Sequence, residues 1–381
     1  MSLILDEHRE YLIDRPRVSA FERAISEVVK PGDVVLDLGA GTGILGLFAL
    51  KAGAARVYAV DGIGLTQLER EIFAANGFAD RAVCIKGLST RVELPEKVDV
   101  IVGDLIGRFG IDGGLVEFYT DARRRMARPG VRTVPSRVDL YVAPVEAPQT
   151  WAEVEFWRES PAGFNFDRAY KIAVNTGHPV KYRPEQMLGK PALLATIDVT
   201  RDGDPILSGT AVSAVHRAGT MHGVAGWFEA QLSPSVTMSN SPLREDVINR
   251  RAVFFPVDPP TAVAANDSAR VTMRISPADT LVNWRVELTD GAGATRKKFS
   301  HSTFSGMLLN PEDLAKSRPD YVPKLTIWGE ARRLVVNLCD GKRSVAQIER
   351  EVYELHRSLF ASPGEASAFV HEVIVPYGTS D

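Results

Sequence analysis

The chain has 381 residues, of which 45% are hydrophobic and 24% charged, and its formal net charge is -3. This composition is typical of a globular protein and excludes a disordered chain, while the length predicts two or three domains. The charge balance argues against a nucleic-acid partner, and two isolated cysteines, Cys84 and Cys339, argue against a disulfide framework or a zinc site.

Hydropathy gives no sign of a membrane segment. No apolar run approaches the roughly 18 residues that a bilayer-spanning helix needs. We therefore expect a soluble cytoplasmic protein with no membrane partner and no metal.

Residues 18–145 alternate between apolar runs and helical patterns. The runs VVLDLG, ARVYAV, AVCIKG and VDVIVGD predict four buried strands, and stretches such as GLTQLEREIFAANG predict the helices between them. This alternation is typical of an α/β fold with a parallel sheet and crossover helices. We therefore predict a Rossmann-like domain over residues 1–133, whose ligand binds at the carboxyl ends of the strands.

The stretch VVLDLGAGTGILGLFALKAGAARVYAVD places three glycines directly after the first strand, namely Gly39, Gly41 and Gly43. Glycines here let the backbone approach a ligand, and the next helix offers unpaired N–H groups at its start. The GxGxxG spacing of dinucleotide sites is nominally matched by Gly41, Gly43 and Gly46. Two acids at strand ends instead favour S-adenosylmethionine, because Asp37 can orient an amine and Asp61 can accept both hydroxyls of a ribose.

The texture changes after this region. Residues 134–306 contain short runs rich in Val, Thr, Trp and Phe, broken by turn signals such as TRDGDP and TDGAG, which predict an antiparallel β-barrel or sandwich. A segment of mixed character, about residues 160–192, interrupts this pattern and is expected to project as an arm.

Residues 307–381 form a third predicted domain. The run KLTIWG is strand-like, and two marked helices follow it. Ser344 and Gln347 form a capping-box pattern for the first helix, and Ser362, Pro363 and Glu365 mark the start of the second. We expect a small α+β, winged-helix-like module.

Over roughly residues 5–290 the chain resembles the protein arginine methyltransferases, in the same order of parts. The segment EHREYLIDRPRVSAFERAI is similar to the family's N-terminal helices, with His8, Asp14 and Arg17 on matching positions. VLDLGAGTGILGLFALKAGA matches the cofactor loop, and VELPEKVDVIVGDLIG, VPSRVDLYVAPVE and HGVAGWFE follow the family into the β-domain.

The resemblance implies S-adenosylmethionine as cofactor and S-adenosylhomocysteine as product. Arg17 matches the arginine that clamps the cofactor's carboxylate, and Asp61 replaces a ribose-binding glutamate. The implied cofactor-binding residues are Arg17, Asp37, Gly39, Gly41, Gly43, Asp61, Gly87 and Leu88, of which the last two lie near the adenine. The 160–192 segment matches the family's dimerisation arm, so we expect a homodimer.

The acceptor side departs from the family. Its two guanidinium-binding glutamates become Asp104 and Gly113, with Asp112 next door, and the Thr-His-Trp loop falls on residues 247–249, which read Val-Ile-Asn. Asp104, Asp112 and His8 are the candidate catalytic residues. Arginine is then one acceptor among several, with a carboxylate, an amide, a hydroxyl or another nitrogen equally open.

The tail resembles the small PqqD-like peptide-binding domains. The shared pattern is a leucine, an Asp-Gly turn, basic residues and a capped helix, here Leu338, Asp340, Gly341, Lys342, Arg343 and Ser344. Such domains bind a leader peptide along a strand edge, whereas a plain winged-helix packing module has similar turn chemistry.

Three functions remain open from the sequence. The first is a methyltransferase acting on a peptide or protein side chain, including a ribosomally made precursor peptide read by the C-terminal domain. The second is a small-molecule O- or N-methyltransferase with a structural tail. The third is a binding scaffold with weak activity.

Overall fold

The computed structural model describes residues 3–62, 64–203, 206–278, 281–308 and 310–377. The chain divides into two compact units, residues 1–307 and residues 308–381. The last four residues of the predicted third domain, 378–381, lie outside the described residues. Across the described part, no helix combines the length and the apolar character that crossing a membrane requires.

The first unit begins with a five-stranded parallel sheet in the order β3-β2-β1-β4-β5. Its strands are β1 (Val34–Leu38), β2 (Arg56–Asp61), β3 (Ala82–Lys86), β4 (Val98–Val102) and β5 (Ala127–Val134). Its helices are α1 (Leu3–Ile13), α2 (Arg15–Val28), α3 (Ile44–Lys51), α4 (Thr66–Ala75) and α5 (Leu115–Met126). Every residue of β1 is buried, as expected for a strand covered by helices on both faces. The predicted parallel sheet is confirmed, and its four predicted strands are β1 to β4.

The strand order reverses direction at β1. This strand pairs with β2 on one side and with β4 on the other, both in parallel register. The loops that follow β1 and β4 therefore leave the same edge of the sheet on opposite sides of a crevice, where open α/β sheets bind their ligands.

The predicted antiparallel β-structure is also confirmed, as a six-stranded sheet in the order β7-β12-β10-β6-β8, with β11 paired to β10, and a four-stranded sheet in the order β15-β14-β13-β9. The strands are β6 (Arg137–Val145), β7 (His178–Val180), β8 (Ala192–Asp198), β9 (Leu207–Ala214), β10 (Gly219–Gln231), β11 (Thr237–Ser239), β12 (Ala252–Val263), β13 (Ser268–Ser276), β14 (Leu281–Thr289) and β15 (Thr295–Ser302). The buried indole of Trp284 joins the two sheets by donating from its ring nitrogen to the Pro256 carbonyl, 2.8 Å away.

The segment predicted to project as an arm folds back in part. It contains α7 (Asp167–Ala173) and follows α6 (Pro148–Glu155), and its strand β7 pairs with β12 inside the six-stranded sheet. Tyr170 of α7 is buried in a core with Trp151 and Trp227. Phe164, between these elements, is 69% exposed. Only the part of the segment around Phe164 presents an apolar surface to solvent.

The second unit consists of helices among its described residues, namely α8 (Pro311–Lys316), α9 (Ile327–Leu338), α10 (Val345–Leu355) and α11 (Pro363–Tyr377). The predicted capping box of α10 is present, with Ser344 and Gln347 exchanging side-chain and backbone hydrogen bonds. At the start of α11, the Glu365 carboxylate accepts the Ala361 N–H at 2.8 Å. Both predicted helix starts are confirmed.

The predicted strand KLTIWG is wrong. Thr326 instead caps α9 by accepting the Gly329 N–H at 3.1 Å, and the helix begins at Ile327. The helix is favoured over a strand because Ala331, Val335 and Leu338 follow at helical spacing and are buried against α10 and α11. Residues 310–377 contain no strand, so the winged-helix-like α+β module is corrected to a helical one.

The core of this second unit predicts which substitution unfolds it. Ile348 lies inside that core, and an Ile348→Ala change should cost about 2–5 kcal/mol and unfold the helices α9 to α11 before the parallel sheet. Hydrogen exchange with mass spectrometry reports the two regions separately. The matched control is Leu355→Ala on the same helix, whose side chain is 67% exposed and whose loss should leave exchange unchanged. Equal exchange of both variants would contradict the assignment of this core.

Candidate active site

The bend after β1 forms a narrow backbone cradle. The Gly39 N–H donates to the Val60 carbonyl at 2.9 Å, and the Gly41 N–H donates to the Asp61 carboxylate at 3.0 Å. Gly41 has a φ of +58°, and a β-carbon there would overlap the imidazole of His8. The bend therefore needs glycine at this position for two reasons, and helix α1 lies directly over it through His8.

Asp37 is a buried carboxylate with one unused oxygen. Its Oδ2 accepts the Gly46 N–H at 2.8 Å, whereas Oδ1 is buried without a hydrogen-bond partner. Burial raises the pKa of Asp37 to about 7, with the Gly46 N–H opposing the shift and the charge of Asp61 adding to it. An unpaired buried oxygen is costly, so this end of β1 is suited to a donor supplied by a ligand.

Glu69 of α4 is a second buried acid, and our sequence reasoning missed it. It is fully buried beneath the glycine bend, where its near neighbour is the Cys84 thiol, a weak donor, and neither carboxylate oxygen has a strong partner. Burial, and next the charge of Asp37, raise the pKa of Glu69 to about 8. The sequence carried only a weak signal, because Glu69 shares a face of α4 with Phe73, four residues later, whereas an acid on such a face is usually exposed.

Asp104 follows β4 and is held by two arginines. Arg17 of α2 donates from Nε to Oδ2 at 2.5 Å, and Arg250 donates from Nη2 to Oδ2 at 2.7 Å and from Nη1 to Oδ1 at 3.1 Å. Burial would raise the pKa of Asp104, but the charges of Arg250 and Arg17 outweigh it and hold the pKa well below its usual range. Asp104 is therefore an ionised anchor that orients neighbouring groups and is poorly suited to accept a proton.

Asp112 is turned into its own loop. Its Oδ1 accepts the N–H groups of Arg108 and Phe109 at 2.7 and 3.1 Å. Gly113 has no room for a side chain, because a β-carbon there would overlap the Leu105 carbonyl. The loop after β4 thus places Asp104 between the two arginines, while the Asp112 side chain bonds its own loop.

Gly87 and Leu88 follow β3 next to the end of β2. The Gly87 N–H donates to the Asp61 carbonyl at 2.9 Å, and the Leu88 side chain is half exposed. Their backbone lies at the outer side of the glycine bend, beyond Asp61.

Two cavities meet at Asp104. The inner cavity, of about 80 Å³, is lined by residues that include His8, Tyr11, Arg17, Gly39 and Asp104. The outer cavity, of about 670 Å³, shares Tyr11, Arg17 and Asp104 and adds Asp112 and Arg250. The structure thus brings His8, Arg17, Gly39 and Asp104 together.

Arg250 was also missed from the sequence. It lies directly after residues 247–249, the stretch that departs from the expected Thr-His-Trp pattern, in an Asn-Arg-Arg run. The loop is fixed to α2 because the Asn249 N–H donates to the Asp14 carboxylate at 2.8 Å. A pair of arginines following an altered active-site loop was the signal available.

Comparison with known proteins identifies the family. Residues 136–288 match the family described as "Arginine methyltransferase oligomerization subdomain", and residues 21–131 match "Ribosomal protein L11 methyltransferase (PrmA)". "Protein arginine N-methyltransferase 6" of Danio rerio is 30% identical over 265 residues, which cover 65% of this chain and 75% of that protein. The chain belongs to the protein arginine methyltransferase family. The Xenopus laevis "Protein arginine N-methyltransferase 6" is 28% identical over 315 residues, covering 77% of this chain and 91% of that protein.

Solved structures share the fold of this methyltransferase. The "Trypanosoma brucei PRMT1 enzyme-prozyme heterotetrameric complex with AdoHcy" has a TM-score of 0.68 at 22% identity, covering 77% of this chain and 97% of that one. Arabidopsis thaliana protein arginine methyltransferase 10 has a TM-score of 0.68 at 21% identity, covering 78% of this chain and 98% of that one.

The protein is an S-adenosylmethionine-dependent methyltransferase, and its site fits that cofactor in chemical terms. The unpaired Oδ1 of Asp37 offers an acceptor to an ammonium group, and the glycine bend leaves a backbone cradle that a β-carbon would fill. The cofactor, when bound, supplies an activated methyl group on a sulfonium. Among the residues that the structure describes, no group of three or more His, Cys, Asp or Glu side chains could hold a metal ion.

The buried acid of α4 predicts a pH dependence. The pKa of Glu69 rises from 4.5 to about 8 on folding, so its contribution to stability is fully present below pH 4.5 and is lost as the pH rises toward 8. The Glu69→Gln variant should therefore lose less stability than wild type between about pH 5 and pH 8, a difference of a few kcal/mol at the upper end.

Urea unfolding at a series of pH values measures this difference. The control is Glu71→Gln, which changes an exposed glutamate on the same helix and should follow the wild-type profile. If Glu69→Gln shows the same dependence of stability on pH as wild type, Glu69 is not the titrating group.

Proposed function

We propose that this methyltransferase modifies a side chain of a peptide or protein. The observation that carries the proposal is the meeting of the inner and outer cavities at one ionised carboxylate, Asp104. The inner cavity adjoins the glycine bend, whereas the outer cavity is open and has the volume of an ordinary ligand pocket. A methyl donor on one side and an acceptor on the other would face each other at this carboxylate.

The cofactor would be held by the residues around the glycine bend. Asp37 and Gly39 would bind the methionine end, Arg17 its carboxylate, Asp61 the ribose, and the backbone of Gly41, Gly43, Gly87 and Leu88 the remaining groups. The inner cavity of about 80 Å³ is smaller than the roughly 300 Å³ of usual ligand pockets. Because His8 lies against Gly41, binding would require α1 to move off the bend.

Methyl transfer demands alignment more than acid–base chemistry. Asp104 would orient the acceptor through the groups bound to it, since its low pKa opposes proton uptake. His8 is the candidate side chain above the glycine bend, and Asp112 would act indirectly, by fixing the loop that carries Asp104.

An extended acceptor is supported by a further cavity beside the outer one. It has a volume of about 480 Å³ and shares Ile13, Asp14 and Arg250 with the outer cavity. Its remaining wall is largely apolar, with Val180, Tyr182, Pro242, Val247 and Ile248. A groove that combines apolar and charged sections suits a peptide better than a small polar metabolite.

The second unit would recruit the substrate. A ribosomally made precursor peptide with a leader is one such substrate. Because residues 310–377 have no strand, a leader would bind to helices rather than along a sheet edge. Exposed apolar side chains that support such contacts are Val322, Leu325, Trp328, Val336 and Leu355. A homodimer is also proposed, supported by the oligomerization-subdomain match and the exposed Phe164.

Cofactor binding tests the first part of this function. Titration calorimetry with S-adenosylhomocysteine should give heat with wild type, and Asp61→Asn should weaken the affinity about tenfold or more by removing a charged acceptor. Asp80→Asn, which changes an exposed acid after α4, should bind like wild type. No heat with any of the three proteins would refute the proposed function.

Removal of the second unit tests peptide recruitment. A chain ending at Met307 should keep its affinity for S-adenosylhomocysteine but methylate a leader-bearing peptide with a lower kcat/KM than the full chain. Mass spectrometry of the peptide measures the transfer. Unchanged turnover would show that the second unit does not recruit the peptide and would instead favour a structural tail.

A further inference from the structure

The outer cavity already contains a guanidinium bound to its carboxylate. Arg250 forms a two-point contact with both oxygens of Asp104, and its Nη1 also donates to the Gly107 carbonyl at 3.2 Å. Its side chain is 14% exposed, and it is a residue of the protein rather than of a substrate. A two-point contact of this kind is the geometry with which a carboxylate binds an arginine.

A second guanidinium would find the carboxylate of Asp104 already occupied. Arg17 occupies Oδ2 of Asp104 together with Arg250, and Asp112 is engaged by the N–H groups of its own loop. Gly113 cannot carry a side chain, because its backbone packs against the Leu105 carbonyl. An acceptor arginine would have to displace Arg250 and then share the pocket with it, which like charges oppose.

The charge at the meeting point of the two cavities is positive. One carboxylate, Asp104, faces two guanidinium groups, those of Arg17 and Arg250. Of the five N–H groups of Arg250, the contacts to Asp104 and Gly107 use three, which leaves two for another acceptor. Other charged residues lining the outer cavity are Glu7, Arg9, Glu10, Asp14, Arg108, Asp112, Lys181 and Arg251.

Several of these acids are engaged elsewhere. Glu7 accepts the Tyr11 hydroxyl at 2.9 Å, and Asp14 accepts the N–H groups of Arg17 and Asn249 at the start of α2. The groups nearest Asp104 are therefore cationic donors, which favour an anionic acceptor.

We propose that Arg250 fills the guanidinium position of the outer cavity and makes the site select a peptide carboxylate, which is converted to a methyl ester. This inference rests on the proposed function and specifies its acceptor. One carboxylate oxygen of the acceptor forms the bond to the methyl carbon, the bond between that carbon and sulfur breaks, and its electron pair stays on sulfur. No proton is transferred, so the reaction needs no base, in agreement with the pairing of Asp104.

The experiment compares matched peptides on the full chain saturated with S-adenosylhomocysteine. The probes are acetylated and amidated heptapeptides of glycine and serine with Asp, Asn or Arg at the centre, and one Asn peptide with a free carboxyl terminus. Calorimetry should show the Asp peptide binding about tenfold or more tightly than the Asn and Arg peptides. The peptide with the free terminus distinguishes a terminal carboxylate from a side-chain one.

Variants of Arg250 test its role. Arg250→Gln should weaken binding of the carboxylate peptides about tenfold or more, and Arg250→Lys, which keeps the charge without the planar fork, should fall between it and wild type. Arg274→Gln removes the same charge from the exposed face of β13 and should bind like wild type. Circular dichroism confirms that each variant is folded. If Arg250→Gln is unfolded, Arg250→Lys alone tests the role of Arg250.

The two hypotheses fail in different ways. Absence of heat with S-adenosylhomocysteine itself refutes the proposed function. If S-adenosylhomocysteine binds, any of three results overturns the carboxylate inference alone. These are equal or tighter binding of the Arg peptide, no heat from either carboxylate peptide at millimolar concentration, and full affinity for the carboxylate peptides in Arg250→Gln. With S-adenosylmethionine, mass spectrometry should find a methyl group that mild base removes, and a base-stable methyl group would equally overturn it.

Discussion

The site depends on a buried carboxylate held between two guanidinium groups. Asp104 follows a strand of the parallel sheet, Arg17 lies on a helix 87 residues earlier, and Arg250 lies 146 residues later in the β-domain. An ionised group at this depth is tolerated only if it is paired and hydrogen bonded, so each partner is needed to keep the others in place. The ion cluster thus fixes the distance between the N-terminal helices, the parallel sheet and the antiparallel sheets.

This arrangement divides the site by charge. Below the glycine bend, Asp37 and Glu69 are buried carboxyl groups whose pKa values are raised to about 7 and about 8, and one oxygen of Asp37 and both oxygens of Glu69 lack a strong partner. Beyond Asp104, the nearest groups are guanidinium donors. A sulfonium or ammonium beside these two carboxyls would favour their ionised forms, while the guanidinium groups beyond Asp104 favour an anionic nucleophile. The charges of the two reactants would therefore favour opposite sides of Asp104.

The sequence was sufficient for those features that local patterns determine. The strands β1 to β4 read as apolar runs because both faces of the sheet are covered, and the caps at Ser344 and Glu365 follow from side-chain chemistry within one turn. The run KLTIWG was ambiguous because a short apolar stretch fits a strand or a buried helix start, and the cap at Thr326 together with packing of Val335 decided for the helix.

The pairing of Arg250 with Asp104 could not be predicted in the same way. It joins residues that are far apart in the chain, and it depends on the path of the loop that Asp14 fixes through the Asn249 N–H. Matching Asp104 to a family glutamate gave the position of the carboxylate but did not show which side chains bind it. Glu69 was missed for a different reason, since a helix face with one acid among apolar residues usually exposes that acid, and only the tertiary structure shows it buried.

The two departures from the family pattern have a common physical basis. Losing the second carboxylate at Gly113 leaves Asp104 alone, and a lone buried carboxylate that already faces Arg17 has little net charge with which to attract an external arginine. Adding Arg250 then reverses the sign of the pocket. A proton-accepting group becomes unnecessary once the nucleophile is itself an anion, so the absence of the usual histidine at position 248 and the strong pairing of Asp104 follow from the same change in acceptor charge.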